Sequence, residues 1–553
     1  MEIDRRKALL GLTSALVLPR CVAADLRGQA FSNEVFMQGV ASGDPGEDSV
    51  VLWTRVSGQS GEVAVDWSVA TDPAMRDTLI KGTVYTSEIR DYTVKVIPEG
   101  LPAGTELYYR FVVGGVVSPV GRTRTLPTGE LDSLVIAVAS CSNYPFGRFN
   151  GYQAIADDPD IDIVVHLGDY IYEYDENGYG GNEGRALGRV HEPRHETVTL
   201  SDYRIRHAQY KTDSGSLAMH AMHPLIAIWD DHESANNPWS GGAQNHQEGE
   251  GEWIDRRSVS LRAYFEWMPV REPDVGESRE SRRAHFRFGD LASLYAVETR
   301  HMARSEQIDL GAYEDSLTSP EAAAEFYERV VGDESREMMS QSDEMFLAEG
   351  LKASVDAGEP WRVLANQTIL ARVVAAPLDD PVFLEATENL DGWIANYAKS
   401  LIEVGALGIP ANLDAWDGYP AARERLYSLA ADAGARDLLV ITGDTHIFGQ
   451  NYLRRANGDS AGVELGTTGI SSPRGLYELG DIANDRHDKL LVETNDSIEW
   501  MDGRYRGYIK LTLEHTKAQA DFIAVSTIET RNFETKVIRS VDIVRRDGAL
   551  DYA

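Results

Sequence analysis

From Phe36 to about Leu126, apolar and polar side chains alternate in short runs, among them Ser49-Val50-Val51-Leu52-Trp53-Thr54 and Glu106-Leu107-Tyr108-Tyr109-Arg110-Phe111-Val112-Val113, separated by Gly, Pro and Asp. Period-two alternation turns one face of each run toward a core and the other toward water, so residues 34–127 predict an antiparallel β-sandwich. Around Pro127-Thr128-Gly129 the texture changes. Continuous apolar runs now alternate with helical patterns, as buried strands of an α/β domain do, and residues 128–553 read as such a domain. Helical periodicity is clearest over residues 320–357, 390–404 and 421–435. The Gly-rich stretches 177–188 and 240–251 predict long loops, of a length that commonly carries function.

The start of the chain has another pattern. Arg5-Arg6-Lys7 precede an uncharged stretch from Ala8 to Leu18, too short to span a bilayer, and small residues follow at Val22-Ala23-Ala24. Residues 1–24 therefore read as a signal peptide. The paired arginines resemble a twin-arginine signal, with Asp4 and Ala8 in place of the usual Ser and Phe. This predicts passage through the twin-arginine export machinery, a periplasmic or secreted location, and no stable membrane span. Charge then removes one class of partner: 88 acidic against 53 basic side chains leave a formal charge of -35, which opposes binding to nucleic acid. Only Cys21 and Cys141 are cysteines, so loss of the leader leaves no internal disulfide. A lone thiol in an oxidising compartment is either buried and inert or bound to metal.

Five apolar runs end in residues of ligand type. Leu134 to Ala139 leads to Ser140-Cys141, Ile161 to Leu167 to Gly168-Asp169, and Leu225 to Trp229 to Asp230-Asp231-His232-Glu233. Downstream, Arg362 to Ala365 precedes Asn366-Gln367, and Leu438 to Thr442 precedes Gly443-Asp444-Thr445-His446. Taken singly, Cys141 reads as a buried hydrophobe, Asp169 or Asp444 as a turn or helix cap, and Asn366 as a turn residue. Jointly they form a mixed soft and hard donor set beyond the carboxyl ends of strands, where α/β sites assemble. Two cations held there would orient a nucleophilic water and stabilise displacement at phosphorus.

Gly168-Asp169-Tyr170-Ile171-Tyr172, Asp230-Asp231-His232-Glu233 and Gly443-Asp444-Thr445-His446, in that order, resemble the calcineurin-like metallophosphoesterases. The sequence is more specifically similar to the PhoD-like alkaline phosphatases, through Gly39 to Pro45 with Val51 to Arg55, Ala139-Ser140-Cys141, Leu200 to Arg204, Trp229 to Glu233 and Trp416 to Pro420. The resemblance implies an N-terminal β-sandwich ahead of a two-sheet αββα catalytic domain. It also implies that Asp169 bridges two metal positions, that Cys141, Tyr172 and His446 complete a ferric (Fe3+) site, and that Asp231, Asn366 and Asp444 face calcium (Ca2+). Thiolate, phenolate and imidazole suit iron, and carboxylate and amide oxygens suit calcium. Cys141, Asp231 and Asp444 stand where the wider superfamily has Asp, Asn and His, which favours the PhoD-like branch. His232 is the candidate for general-acid or phosphate-stabilising work. The expected activity is extracytoplasmic hydrolysis of phosphate mono- and diesters releasing inorganic phosphate. Two rivals remain: a phosphodiesterase or phospholipase-D-like hydrolase, and a surface binding protein with a vestigial phosphoesterase domain.

Overall fold

The computed structural model describes residues 26, 28–388, 390 and 392–553, so the leader expected over 1–24 lies outside the described residues. Ser133–Ala139, Ile163–His166 and Leu225–Ala227 run parallel in the middle of a ten-stranded sheet. Four antiparallel strands from residues 506–552 extend it on one side. In a seven-stranded sheet, Ala292–Ala296, Trp361–Ala365, Leu438–Thr442 and Ser460–Gly466 are parallel to one another. The two sheets share one apolar cluster, in which Ile136, Val138, Val165 and Ile226 meet Val363, Leu439, Ile441 and Leu465.

Successive side chains of a strand point to opposite faces, so Ala137 and Ala139 turn away from that interior. They pack with Ile155, Met219, Leu261 and Phe265, carried by helices Asn150–Asp157, Ser214–Met222 and Trp253–Trp267. On the seven-stranded sheet, Leu364 and Val440 pack with Leu347, Leu351 and Leu426 of helices Gln341–Ala357 and Pro420–Asp432. Cover on both faces is why these strands are apolar throughout rather than alternating. Among the described residues, no helix is long and apolar enough to cross a membrane.

The alternating strands of the N-terminal region divide between two sheets. Val63–Ala70, Thr78–Thr86, Glu106–Val113, Val116–Val117 and Gly121–Arg124 form an antiparallel sheet of their own. Val40–Gly43, Val51–Arg55 and Thr93–Val96 instead continue the ten-stranded sheet, with Gly43 opposite Leu225. The two groups meet through Val40, Leu52 and Val94 on one side and Val65, Val69, Leu107 and Phe111 on the other.

Two local expectations are corrected. The helical pattern over 320–357 is broken: a helix at Pro320–Phe326 widens into a π turn at Tyr327–Val331, and helix Gln341–Ala357 starts afresh behind the Ser340 cap. Gly332 and Asp333 fall in the gap, where glycine and a turn-forming aspartate compete with helix. The stretch 177–188 is not all loop, since it holds helix Gly181–Leu187, bounded by Gly180 and Gly188 in left-handed conformation.

Candidate active site

Each parallel strand ends abruptly, and the backbone then turns over. Cys141, Asp169, Asp444 and His446 have φ of 58°, 55°, 62° and 57°, a left-handed region in which a non-glycine residue is held at a cost of about 1–3 kcal/mol. The turns are fastened to one another. Cys141 N donates to Gly168 O at 3.1 Å and Ser142 N to Asp169 O at 2.9 Å. Glu233 accepts from the backbone N–H groups of Asp169, Tyr170 and Asp230 at 3.0, 2.7 and 2.9 Å, locking two strand ends together. Gly168, at φ 102°, has to be glycine, because a Cβ there would lie 2.3 Å from Asp230 N.

Asp169 is the hub of the cluster. Its Oδ2 accepts from the Cys141 thiol at 3.4 Å and from Tyr172 Oη at 3.2 Å, while Oδ1 accepts from His232 N at 3.4 Å. Tyr172 Oη also lies 3.3 Å from His446 Nε2. His446 Nδ1 is 2.5 Å from the Pro473 carbonyl, which only accepts, so Nδ1 carries the proton and Nε2 presents a lone pair toward Tyr172 and Asp169. Three groups bring potential ligand atoms within 4.8 Å of one another: Cys141, Asp169 and His446; Asp169, Asp231 and His232; Asp230, Asp231 and Asp444. A cavity of about 770 Å³ opens onto Asp169, Asp231, His232, Asp444 and His446. Cys141 and Tyr172 are fully buried, in contact with Asp169.

His232 is held in place by carboxylates and an aromatic ring. Its Nδ1 donates to Glu173 at 2.7 Å, its ring stacks on Tyr172 with centroids 4.2 Å apart, and Nε2 is 3.9 Å from Asp231. The other Glu173 oxygen accepts from Asn236 N and Asn245 Nδ2, both at 2.7 Å. Burial by itself would depress the imidazole, but the charges of Asp231, Glu173 and Asp169 outweigh it and hold His232 protonated well above its usual range.

The carboxylates are in excess. Burial, and then the charge of Asp231, pushes Asp169 well above the usual carboxylate range, and burial with the charge of Asp230 does the same to Asp444. Asp230 is pushed up to about 6, by burial first, against the pull of Arg300. At Asp231 burial also acts upward, yet His232 and Arg300 overcome it and hold the group low. Asp230 Oδ2 and Asp231 Oδ1 are buried without a hydrogen-bond partner, which ordinarily costs about 1–3 kcal/mol or more for a charged group. Crowded anionic oxygens with orphaned lone pairs, next to a thiol and a neutral imidazole nitrogen, fit multivalent cations.

Of the seven residues expected as ligands, Cys141, Asp169, Tyr172 and His446 are brought together, and Asp231 and Asp444 lie beside them. Asn366 stands apart in its bonding: Nδ2 donates to Thr368 O and Oδ1 accepts from Trp416 Nε1 at 3.2 Å. Residues not foreseen from the sequence are Arg300, with no exposed surface, and Glu173. Arg300 Nε meets Asp230 at 2.5 Å and Nη1 meets Asp414 at 2.7 Å, while Nη2 lies 3.9 Å from Asp231 and 3.7 Å from Asp444. A sixth instance of the strand-end pattern announces it, since Ala292–Ala296 runs on through Val297 into Glu298-Thr299-Arg300.

Strand ends from two facing sheets, a soft and a hard donor set around one aspartate, and a protonated histidine at a cavity wall define a candidate hydrolytic centre for phosphate esters. Comparison with known proteins agrees. Residues 136–522 match the model of the PhoD-like phosphatases and residues 21–127 that family's N-terminal domain, so the chain belongs to the PhoD-like phosphatases. It is 32% identical over 547 residues to alkaline phosphatase D of Bacillus subtilis (strain 168), covering 94% of this chain and 84% of that protein. A solved structure of PhoD superposes with a TM-score of 0.76 at 28% identity, covering 95% of this chain and 93% of the other. The protein is a phosphoric ester hydrolase, which sets aside the reading of a binding protein with a vestigial domain.

Proposed function

We propose that this chain is an exported, metal-dependent alkaline phosphatase that releases inorganic phosphate from phosphate esters. The observation that carries the reading is a chain of three overlapping groups, Cys141, Asp169 and His446, then Asp169, Asp231 and His232, then Asp230, Asp231 and Asp444, each with its ligand atoms within 4.8 Å of one another. In this reading the N-terminal strands form the family's β-sandwich domain and the two facing sheets its αββα catalytic domain. Cys141, Tyr172 and His446 would hold ferric iron, Asp231 and Asp444 would hold calcium, and Asp169 would serve both sites. Asn366, whose Oδ1 already accepts from Trp416 Nε1, would be the remaining residue of the calcium set. When bound, the cations supply Lewis-acid charge to a phosphoryl group.

The side chains supply the rest. His232, kept cationic by Glu173 and Asp231, presents an N–H that holds a phosphoryl oxygen or protonates the departing alkoxide. Arg300, buried, pairs with Asp230 and Asp414 and offsets part of the carboxylate charge beside the cavity. The Arg5-Arg6-Lys7 leader supports export.

The test is elemental analysis of protein purified without chelator, paired with rates on a phosphate monoester and a diester, and fractionation of cells expressing the full chain. Iron and calcium at the site, turnover lost on chelation, and activity outside the cytoplasm are expected. A metal-free, fully active protein would refute the metal assignment, and activity retained in the cytoplasm would refute export. The rival of a dedicated phosphodiesterase draws on the cavity, which has room for a second ester group and would show as turnover confined to the diester.

A further inference from the structure

The cavity that opens onto Asp169 and His232 has two unlike parts. Beyond the polar cluster its wall is built by Leu378, Tyr397, Leu401, Leu476, Leu491 and Met501. These residues come from the segments around helices Pro381–Thr387, Gly392–Leu407 and Gly480–Thr494 and from strand Ile498–Asp502. Leu378, Leu401, Leu476 and Leu491 are buried in a small apolar cluster separate from the main cores, so the apolar surface open to the cavity is carried mainly by Tyr397, 43% exposed, and by Met501, packed against the cluster. The strong cation on this wall, Arg474, is already engaged: its guanidinium meets Asp488, and Nη2 lies 2.7 Å from His487 Nδ1. Polar side chains return at the rim, where Tyr477 Oη donates to Glu183 at 3.1 Å.

A phosphoryl group and a small alcohol fill little of about 770 Å³, a volume within the roughly 300–1,000 Å³ that receives a drug-sized ligand. Apolar surface facing such a space stays in contact with water unless the substrate covers it, and covering it is favourable by an amount proportional to area. The apolar wall and the residues that face the phosphoryl group line the same cavity, so a group esterified to the reacting phosphorus can reach that wall. We propose that the chamber is a specificity site for an apolar organic group, alkyl or aryl, esterified to the phosphate that reacts at the Asp169 cluster. This rests on the phosphoesterase reading above and adds the class of ester.

The experiment uses the mature metal-loaded enzyme and a series of n-alkyl p-nitrophenyl phosphates from methyl to octyl, each below its aggregation concentration, read by nitrophenolate release. Burial of each further methylene in an apolar site predicts a rise in kcat/KM of up to about fourfold per carbon until the chamber is filled. Ala411→Trp, which fills the chamber without removing packing, should move the best chain length to a shorter one. If the methyl ester is turned over but the series is flat or falls with length in the native enzyme, or if Ala411→Trp leaves the length profile unmoved, the chamber assignment is overturned alone. No turnover of any member while p-nitrophenyl phosphate is still hydrolysed overturns the chamber assignment alone, and loss of turnover of that monoester as well overturns the phosphoesterase reading with it.

Discussion

Arg300→Met removes a positive charge from the middle of four aspartates without emptying much volume. The guanidinium has no exposed surface and bonds Asp230 at 2.5 Å and Asp414 at 2.7 Å, with Asp444 and Asp231 at 3.7 and 3.9 Å. Near 4 Å, at an effective dielectric of about 20, a single charge pair is worth about 4 kcal/mol. Breaking a buried pair by removing one partner costs about 3–5 kcal/mol, because the other charge stays behind. The chelated variant should therefore unfold earlier in urea by an amount in that range. Calcium should then act in the opposite sense. Without the competing cation, calcium meets no repulsion from Arg300 beside Asp231 and Asp444, so it should bind at least tenfold tighter than in the native protein. A tenfold gain adds about 1.4 kcal/mol of stabilisation at saturating metal. The assay is urea unfolding of both proteins, first in chelator and then across a calcium titration, with calorimetric binding alongside. Equal urea midpoints in chelator, or a variant that calcium stabilises less than the native chain, would show that Arg300 is not the counter-charge of this cluster.

Asp169→Asn keeps the side chain's shape but removes one negative charge from the hub of the cluster. Iron and calcium content should both fall, with affinity losses beyond the 10–100-fold typical of outer partners, and turnover should fall with them. A folded variant with native metal content and near-native turnover would reduce Asp169 to a turn residue, whose loss costs only about 1 kcal/mol of stability. A third prediction concerns Lys211, buried against Trp53 and donating to Tyr170 Oη and to His220 Nε2, each at 3.2 Å. Burial lowers it from 10.5 to about 7, so between those values the unfolded chain binds the extra proton. Stability should therefore rise with pH across that window, by up to about 1.4 kcal/mol per pH unit from this group, with the penalty complete below pH 7. Lys211→Met should remove that slope and leave a parallel one from Lys95, also lowered to about 7 by burial; an unchanged pH profile of urea midpoints would contradict this.

Much of this protein is local information. Apolar runs of β-branched and leucine residues, closed by Gly-Asp or Asp-His, specify strands that stop at polar ends, and side-chain chemistry alone restricts which cations those ends suit. Cys141, Asp169, Asp231, Asp444 and His446 were legible for that reason. Arg300 follows the same pattern, but an arginine after a strand reads as a solvated charge until four carboxylates are seen around it. Glu173 was hidden likewise, because its pairing with His232 spans 59 residues.

Tertiary structure decided three things. Edge pairing joined Val40–Gly43 to Leu225–Ala227, since backbone hydrogen bonds between strands carry no sequence label beyond the pattern of their faces. Neighbouring turns hold Cys141, Asp169, Asp444 and His446 in left-handed conformations that their own residue types disfavour. Burial and mutual charge set the protonation of Asp169, Asp444 and His232, because solvation and Coulomb energy depend on which side chains are brought within a few ångström, and only the folded chain determines that.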